Sequence, residues 1–434
     1  MIRLKVDQEH YGRLVLIGTA TWMWLLILVL FKVHGYQATW GLWNIPAWRL
    51  PFLDFRLIPG SAESFRNGYE PSIENPFDPT QRIFNYPAFW RLFFYTGIMQ
   101  ADAIWIGISM IILFFVGVFL FPEKLSVSGA IGMLLVIFSP ASMLLYERGN
   151  VDLIVFFICA MVVLMESYSA NLTALLITFG AILKMYPFFG IAILLKESKN
   201  KFWTLFISCL AVFLVYIFFT WDSVKASWNT TMRGNELSYG TNVFVTRYGQ
   251  AISKVFQQWF TPRHTGFLLK YGPLVVGLVL LLGVAILAFI NTQQFEAQSE
   301  RNLAAFRMGA AVYVGTFLLG NNFDYRLAFL IFIMPQLVEW MYSTNKAYHV
   351  LAWLSIVLVL LSCWHLWIIE IPLEAIFHSV ADSQKFWIIV DEAANWMLFA
   401  SLAYLLFAST PDWLKNQFRI LLPKRIFAPS TSLS

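Results

Sequence analysis

Charge is what this sequence has least of. Only 13% of its 434 residues are Asp, Glu, Lys or Arg, where soluble domains carry about a quarter, and 59% are hydrophobic. A soluble globule is thereby excluded, and the chain reads as an all-α, polytopic integral membrane protein. Cysteine is equally scarce: Cys159, Cys209 and Cys363 are the only three, each inside an apolar run where it acts as a small buried hydrophobe. They support neither a disulfide framework nor a cysteine-based metal site. Also lacking are a Gly-x-x-x-x-Gly-Lys-Ser/Thr phosphate loop, a His-Glu-x-x-His zinc motif and a Gly-x-Ser-x-Gly elbow, so nucleotide hydrolysis has no support. The net charge of +5 bears on orientation in the membrane, and no nucleic-acid partner is expected.

What the chain has in quantity is long apolar runs, many ending in the Trp and Tyr of an interfacial belt. The run Leu14 to Phe31 follows Arg3, Lys5 and Arg13 with no small-residue cleavage site before Lys32, and it reads as an uncleaved signal anchor. Further runs occupy about 98–121, 126–145, 151–167, 202–220, 267–290, 304–320, 327–342, 348–369 and 387–409. Residues 172–196 read either as one span with Lys184 at its middle or as two half-spans with Lys184-Met185-Tyr186-Pro187 at the apex. Parity decides. Two half-spans make about twelve segments and gather the basic N-terminus, Lys124, the loop with Lys196, Lys199 and Lys201, Arg301 and Lys346 on one side. The tail residues Lys415, Arg419, Lys424 and Arg425 fall on that side too, which the positive-inside rule makes cytoplasmic. Residues 1–409 are expected to form a single transmembrane domain and 410–434 a basic cytoplasmic tail, with both termini inside.

This topology sends two long loops, 34–97 and 222–266, and three polar turns, 146–152, 184–187 and 321–326, to the outer face. In the first loop Leu57, Ile58, Ala62 and Phe65 recur at helical spacing after Asp54, and Gly68 is placed to end that helix. Glu70-Pro71, Asn75-Pro76, Asp78-Pro79 and Tyr86-Pro87 then make an extended crossing, since residues before proline avoid the helical region. Ala88 to Tyr95 is a second amphipathic stretch, and the pair would roof the membrane domain. Glu147, Arg148, Asn150, Asp152 and Lys184 stand where hydrocarbon penalises them unless they are paired or face water, which makes them functional candidates.

In order along the chain, Asp54, Gly68-Tyr69-Glu70-Pro71, Asn85-Tyr86-Pro87, Gly149-Asn150-Val151-Asp152, Lys184-Met185-Tyr186-Pro187 and Tyr325-Arg326 resemble the GT-C glycosyltransferases. Among these the chain is most similar to the polyprenol-phosphate-mannose-dependent mannosyltransferase-like family of bacterial membrane proteins, from about residue 10 to about residue 340. The resemblance implies an inverting transfer of a hexose, mannose in that family, from a polyprenyl-phosphate donor to a hydroxyl of a lipid or glycan acceptor. It implies a bacterial inner (plasma) membrane with the active site on its outer face. The base of that chemistry falls on Asp54. Phe55 follows it where some GT-C enzymes carry a second acidic residue, which leaves a divalent metal requirement open. No other cofactor is expected, and Glu63 is the nearest candidate for a partner carboxylate.

Elementary chemistry asks for the same parts. A carboxylate must take the acceptor proton as the bond forms, and fixed positive charge must meet the leaving phosphate. Asp54 suits the first role, and Arg148, Lys184 and Arg326 the second, Arg as a bidentate grip and Lys as a point charge. Glu63, Tyr86, Glu147, Asn150, Asp152, Tyr186, Asn322 and Asp324 are supporting or substrate-binding candidates. Each has a plainer structural reading as well. Asp54 reads as a helix N-cap, and Asn150 and Asp152 as partners of the backbone at the start of the next span. Glu147 with Arg148, and Asp324 with Arg326, read as local ion pairs. His34, His264, His365 and His378 are scattered at interfaces and read as inert. A flippase or transporter of a lipid-linked or anionic solute would also use broken half-spans, but its charges should line a path through the membrane rather than one face. A non-catalytic assembly partner leaves the outer charges unexplained, and an outer-face glycan polymerase or ligase is the nearest rival among enzymes.

Overall fold

Apolar runs of spanning length satisfy their backbone in lipid by closing it into helices, and helices account for most of the described residues. The structure, a computed structural model, describes residues 2–230, 237–290, 299–377 and 379–421. His378, residues 231–236 of the second loop, and Lys424 and Arg425 of the tail lie outside the described residues. The helices are α1 (Ile2–His34), α2 (Tyr36–Gly41), α3 (Leu53–Arg66), α4 (Ala103–Leu120), α5 (Val127–Ile137), α6 (Pro140–Arg148), α7 (Asp152–Met165), α8 (Ala170–Leu183) and α9 (Lys199–Phe219). They continue with α10 (Trp221–Thr230), α11 (Val243–Phe256), α12 (Pro262–Ile290), α13 (Glu300–Leu318), α14 (Met334–Met341), α15 (Lys346–Ile368), α16 (Glu374–Phe377), α17 (Val380–Ala408) and α18 (Asp412–Leu421). Ala88–Tyr95, Gln100–Asp102, Tyr186–Lys196 and Asp324–Ile333 are 3-10 segments. The one sheet among the described residues is a two-residue antiparallel ribbon, β1 (Ser238–Tyr239) on β2 (Asn322–Phe323).

Among the described residues six helices are long and apolar enough to cross a membrane, and a seventh span results if α5 and α6, bent by 54°, count as one. The chain is thus an all-α, multi-pass membrane protein. The expected count of about twelve segments needs shorter pieces as well. The helices α7 and α8 have 14 residues each, and at 1.5 Å per residue they rise only about 21 Å against about 30 Å of hydrocarbon. The chain does break at Lys184, whose backbone is extended, and α8 folds back on Tyr186–Lys196.

At the centre stands α13, buried from Asn302 to Phe317 and packed on Tyr186–Lys196, on Asp324–Ile333 and on α17. An aromatic stack fills the space beside it: Phe114 lies 4.3 Å from Phe156, and Phe156 lies 4.4 Å from Phe332, ring centre to ring centre. All three cysteines are buried, as expected of small hydrophobes.

The roof expected in the first loop is present as α3 and the segment Ala88–Tyr95, which pack together. The indole of Trp90 donates to the Leu183 carbonyl at 3.0 Å and ties this roof to the end of α8. Phe52 starts α3 in the left-handed conformation at φ 60. Its ring fills the space where Gly107 of α4 and Gly149 lack side chains, and its amide donates to the Glu147 carbonyl at 3.1 Å. A methyl group on Gly149 would come within 2.6 Å of the Phe52 Cβ, and Gly149 itself has φ 55, so glycine is required there on two counts.

Candidate active site

Helix ends bring the polar groups together. Gly149 stops α6 in the left-handed conformation, and the next turn begins with Asn150, whose Oδ1 accepts the Asp152 amide at 3.1 Å. Asp152 stands in the first turn of α7 and Lys184 just past the last turn of α8. An anion at a helix N-terminus and a cation at a C-terminus are both favoured by the helix dipole. Because α7 and α8 pack side by side, the two meet: Lys184 Nζ is 2.6 Å from Asp152 Oδ1. Arg326, at the start of Asp324–Ile333, reaches the other oxygen of Asp152 with Nε at 3.4 Å and donates through Nη1 to Asn322. Asn322 in turn donates to the Thr316 carbonyl.

Asp54 joins this line from the roof. Its Oδ2 accepts the Asn150 side-chain amide at 2.8 Å, and the Asn150 carbonyl oxygen accepts Lys184 Nζ at 2.8 Å. One amide group therefore separates a carboxylate from an ammonium by at most about 8 Å. The remaining amide contact of Asn150 goes to the Tyr325 hydroxyl at 3.2 Å. Aromatic rings surround the cations: Lys184 lies 5.7 Å from the Tyr86 ring and 6.0 Å from that of Tyr325, and Arg326 lies 5.1 Å from Tyr186. Tyr86 also donates to the Asp54 carbonyl at 3.3 Å.

The expected cations do not share one partner. Arg148 is held apart on Glu147 at 3.3 Å, over the Trp48 ring, and donates to the Pro46 carbonyl at 3.2 Å. Glu147 is buried and also accepts the Trp48 amide at 2.9 Å, so this pair braces the turn. Asp54 is in the first turn of α3 and is not its N-cap, a place taken by Phe52. Glu63, nine residues on, falls on the opposite face of the helix, where it accepts the Gln100 amide at 2.7 Å. Asp324 is not paired with Arg326: its Oδ2 is 3.4 Å from Nε2 of His365, a histidine with no expected role.

Arg82, which has no place in the sequence reading, and Asp78, which enters it only as part of the Pro-rich crossing, complete the surroundings of Asp54. Arg82 binds Asp78 through Nη2 at 2.9 Å and Nε at 3.2 Å, donates to the Leu53 carbonyl at 2.6 Å, and turns Nη1 toward Asp54 Oδ1 at 3.6 Å. Burial works against the charge on Arg82, but the bonds to Asp78 and the neighbouring Asp54 outweigh it and hold the guanidinium above its ordinary value. Asp78 accepts the Thr80 and Arg82 amides as well, at 3.1 and 3.0 Å, which closes a turn. The only hint in the sequence is an Asp-Pro followed by an Arg four residues after the Asp, a spacing common in loops. Asp54 and Arg82 are each about a quarter exposed, at 24% and 27% of the side chain, so the line opens to the surface at this end. No group of three or more His, Cys, Asp or Glu is placed to hold a metal ion among the described residues.

Comparison with known families gives this arrangement a class, that of the membrane glycosyltransferases. The family model of glycosyltransferase family 87 matches residues 84–320, more than half of the 434, and the chain belongs to that family. No curated protein and no solved structure matches the chain. The matched stretch holds Tyr86, Asn150, Asp152 and Lys184, while Asp54 and Arg82 precede it and Arg326 follows it.

Proposed function

We propose that the protein transfers a hexose, with inversion, from a polyprenyl-phosphate carrier to a hydroxyl of a lipid or glycan acceptor on the outer face of a bacterial inner membrane. One observation carries the reading: the Asn150 side chain joins the Asp54 carboxylate to the Lys184 ammonium. A base and a phosphate-binding cation then stand about one sugar ring apart, as an in-line displacement requires. Asp54 accepts the proton of the acceptor hydroxyl while the hydroxyl oxygen bonds to the anomeric carbon. The bond from that carbon to the carrier phosphate breaks on the opposite side, and the phosphate leaves with the electron pair. Lys184 and Arg326 share the single charge of Asp152, so one positive charge is in surplus where the phosphate gains its negative charge. The three Tyr rings hold the cations without neutralising them. Arg148, paired on Glu147, has the smaller part. Mannose is the sugar suggested by the family resemblance.

The test is incubation of the purified, full-length protein with radiolabelled undecaprenyl-phosphate mannose, glucose and galactose in parallel, using total lipid and glycan extracts as acceptors. Label moved to an acceptor with inverted anomeric configuration supports the reading; retention of configuration or absence of transfer from every donor sinks it. Sidedness is tested separately. A cysteine introduced at Ser72 should react with an impermeant thiol reagent in intact cells and one at Asn200 should not; the reverse pattern would put the site on the wrong face.

A further inference from the structure

Resting on the proposed transfer, we propose that Arg82 is the positioning residue of the base: it steers Asp54 by charge while Asp78 holds it back from a hydrogen bond that would block the carboxylate. The guanidinium is fixed before it meets Asp54, because Nε and Nη2 are committed to Asp78 and to the Leu53 carbonyl. Its fork geometry then leaves Nη1 aimed at Asp54. At 3.6 Å the contact with Oδ1 is ionic and too long for a hydrogen bond. The two carboxylate oxygens therefore differ. Oδ2 is engaged by the Asn150 amide at 2.8 Å, while both lone pairs of Oδ1 remain for an acceptor hydroxyl.

Asp78 is what maintains the difference. Its side chain is fully buried and accepts two bonds of the guanidinium. Freed from Asp78, Arg82 would close on Asp54 as a bidentate pair and occupy the lone pairs the reaction needs. Arg82 is not a ligand of the leaving phosphate, because inversion places that group across the sugar from the base that Arg82 touches.

The experiment compares Arg82→Gln, Arg82→Lys, Arg82→Ala and Asp54→Asn in the full-length protein, measuring kcat, donor KM and thermal unfolding with whichever labelled donor of the panel is transferred. Arg82→Gln should lower kcat about a hundredfold, the scale of a small misplacement of a catalytic group, with donor KM within about twofold. Arg82→Lys keeps the charge but loses the fork and should fall in between, about tenfold down. Added methylguanidinium should restore part of the kcat of Arg82→Ala and none of that of Asp54→Asn. A wild-type kcat in Arg82→Gln beside an inactive Asp54→Asn overturns the positioning role and leaves the proposed transfer standing. An active Asp54→Asn, or a panel with no transfer, removes both. Unfolding of both Arg82→Gln and Arg82→Lys, or a loss of kcat in Arg82→Ala that methylguanidinium leaves unchanged, makes Arg82 a structural residue and overturns the proposal as well.

Discussion

Two buried polar clusters lie on either side of the segment Asp324–Ile333, and they are built on opposite plans. On one side the line Asp54, Asn150, Lys184, Asp152 and Arg326 alternates charge and closes through bonds of 2.6 to 3.4 Å. On the other, Asp324, Asp391 and Glu392 face His365 and Arg247, with ion contacts of 3.4 and 3.5 Å. Asn395 donates to Asp391 at 3.0 Å, and Tyr313 of α13 donates to Asn395 at 3.0 Å. In the first cluster the single charge of Asp152 meets two cations, and the end at Asp54 is open. The second is rich in carboxylates, each buried, and it ties α11, α15 and α17 to the centre. An enzyme acting on a phosphate needs the first plan. The second offers more carboxylates than cations and suits a brace.

The comparison breaks most sharply at Asp54. Asp54→Asn keeps the size of the side chain and an oxygen for Asn150, so thermal unfolding should be unchanged while turnover falls about a hundredfold or more. Turnover near wild type in the labelled-donor assay would remove the first cluster from catalysis. Lys184→Met is the next largest change. It takes one of two cations from Asp152 and leaves Asn150 Oδ1 with the Asp152 amide alone, so kcat/KM should fall at least about tenfold. Stability should fall by about 2 kcal/mol, less than for a carboxylate stripped of every partner, as thermal unfolding would show. Full activity in this variant would remove Lys184 from the proposed donor site.

Gly149→Ala tests the seat of the base rather than its chemistry. Strain at positive φ and collision with Phe52 should cost about 1–3 kcal/mol in chemical or thermal unfolding, and an unaltered unfolding curve would mean that Phe52 moves freely. The smallest effect is expected in the second cluster. Asp391→Asn removes one of three neighbouring carboxylates but keeps an oxygen for Asn395, so transfer should stay within about twofold and the unfolding temperature should not drop. A hundredfold loss of transfer would make the two clusters one machine.

How far the sequence led depended on the range of the interaction. Apolar runs, the break at Lys184 and the two helical stretches of the first loop are local features, set by composition over a dozen residues, and helical elements stand at them, although the run 126–145 is bent by 54° between α5 and α6. The Asn150 and Asp152 turn was visible for the same reason. Partner choice was not. Whether Arg326 turns to Asp324, two residues away, or to Asp152, across 174 positions, depends on how α7 meets the segment Asp324–Ile333, and it takes Asp152. Arg82 was passed over because a Pro-rich crossing gives no period that would orient a side chain. His365 looked inert because Asp324 reaches it only after α15 has packed on that segment. The left-handed start of α3 was invisible too, since nothing in the letters around Phe52 marks it.

That start has a consequence for the order of assembly. The pocket that receives the Phe52 ring is made half by Gly107 and half by Gly149, so it does not exist while the first hundred residues are the only ones synthesised. The carboxylate of Asp54 must wait, already translated, until α4, α5 and α6 are inserted and the corner after α6 comes to meet it. An arrest of the growing chain before residue 149 would yield a membrane-anchored fragment with its roof unseated. The proposed base is among the earliest parts of the protein to be made, and it takes its place only once residue 149 has followed it.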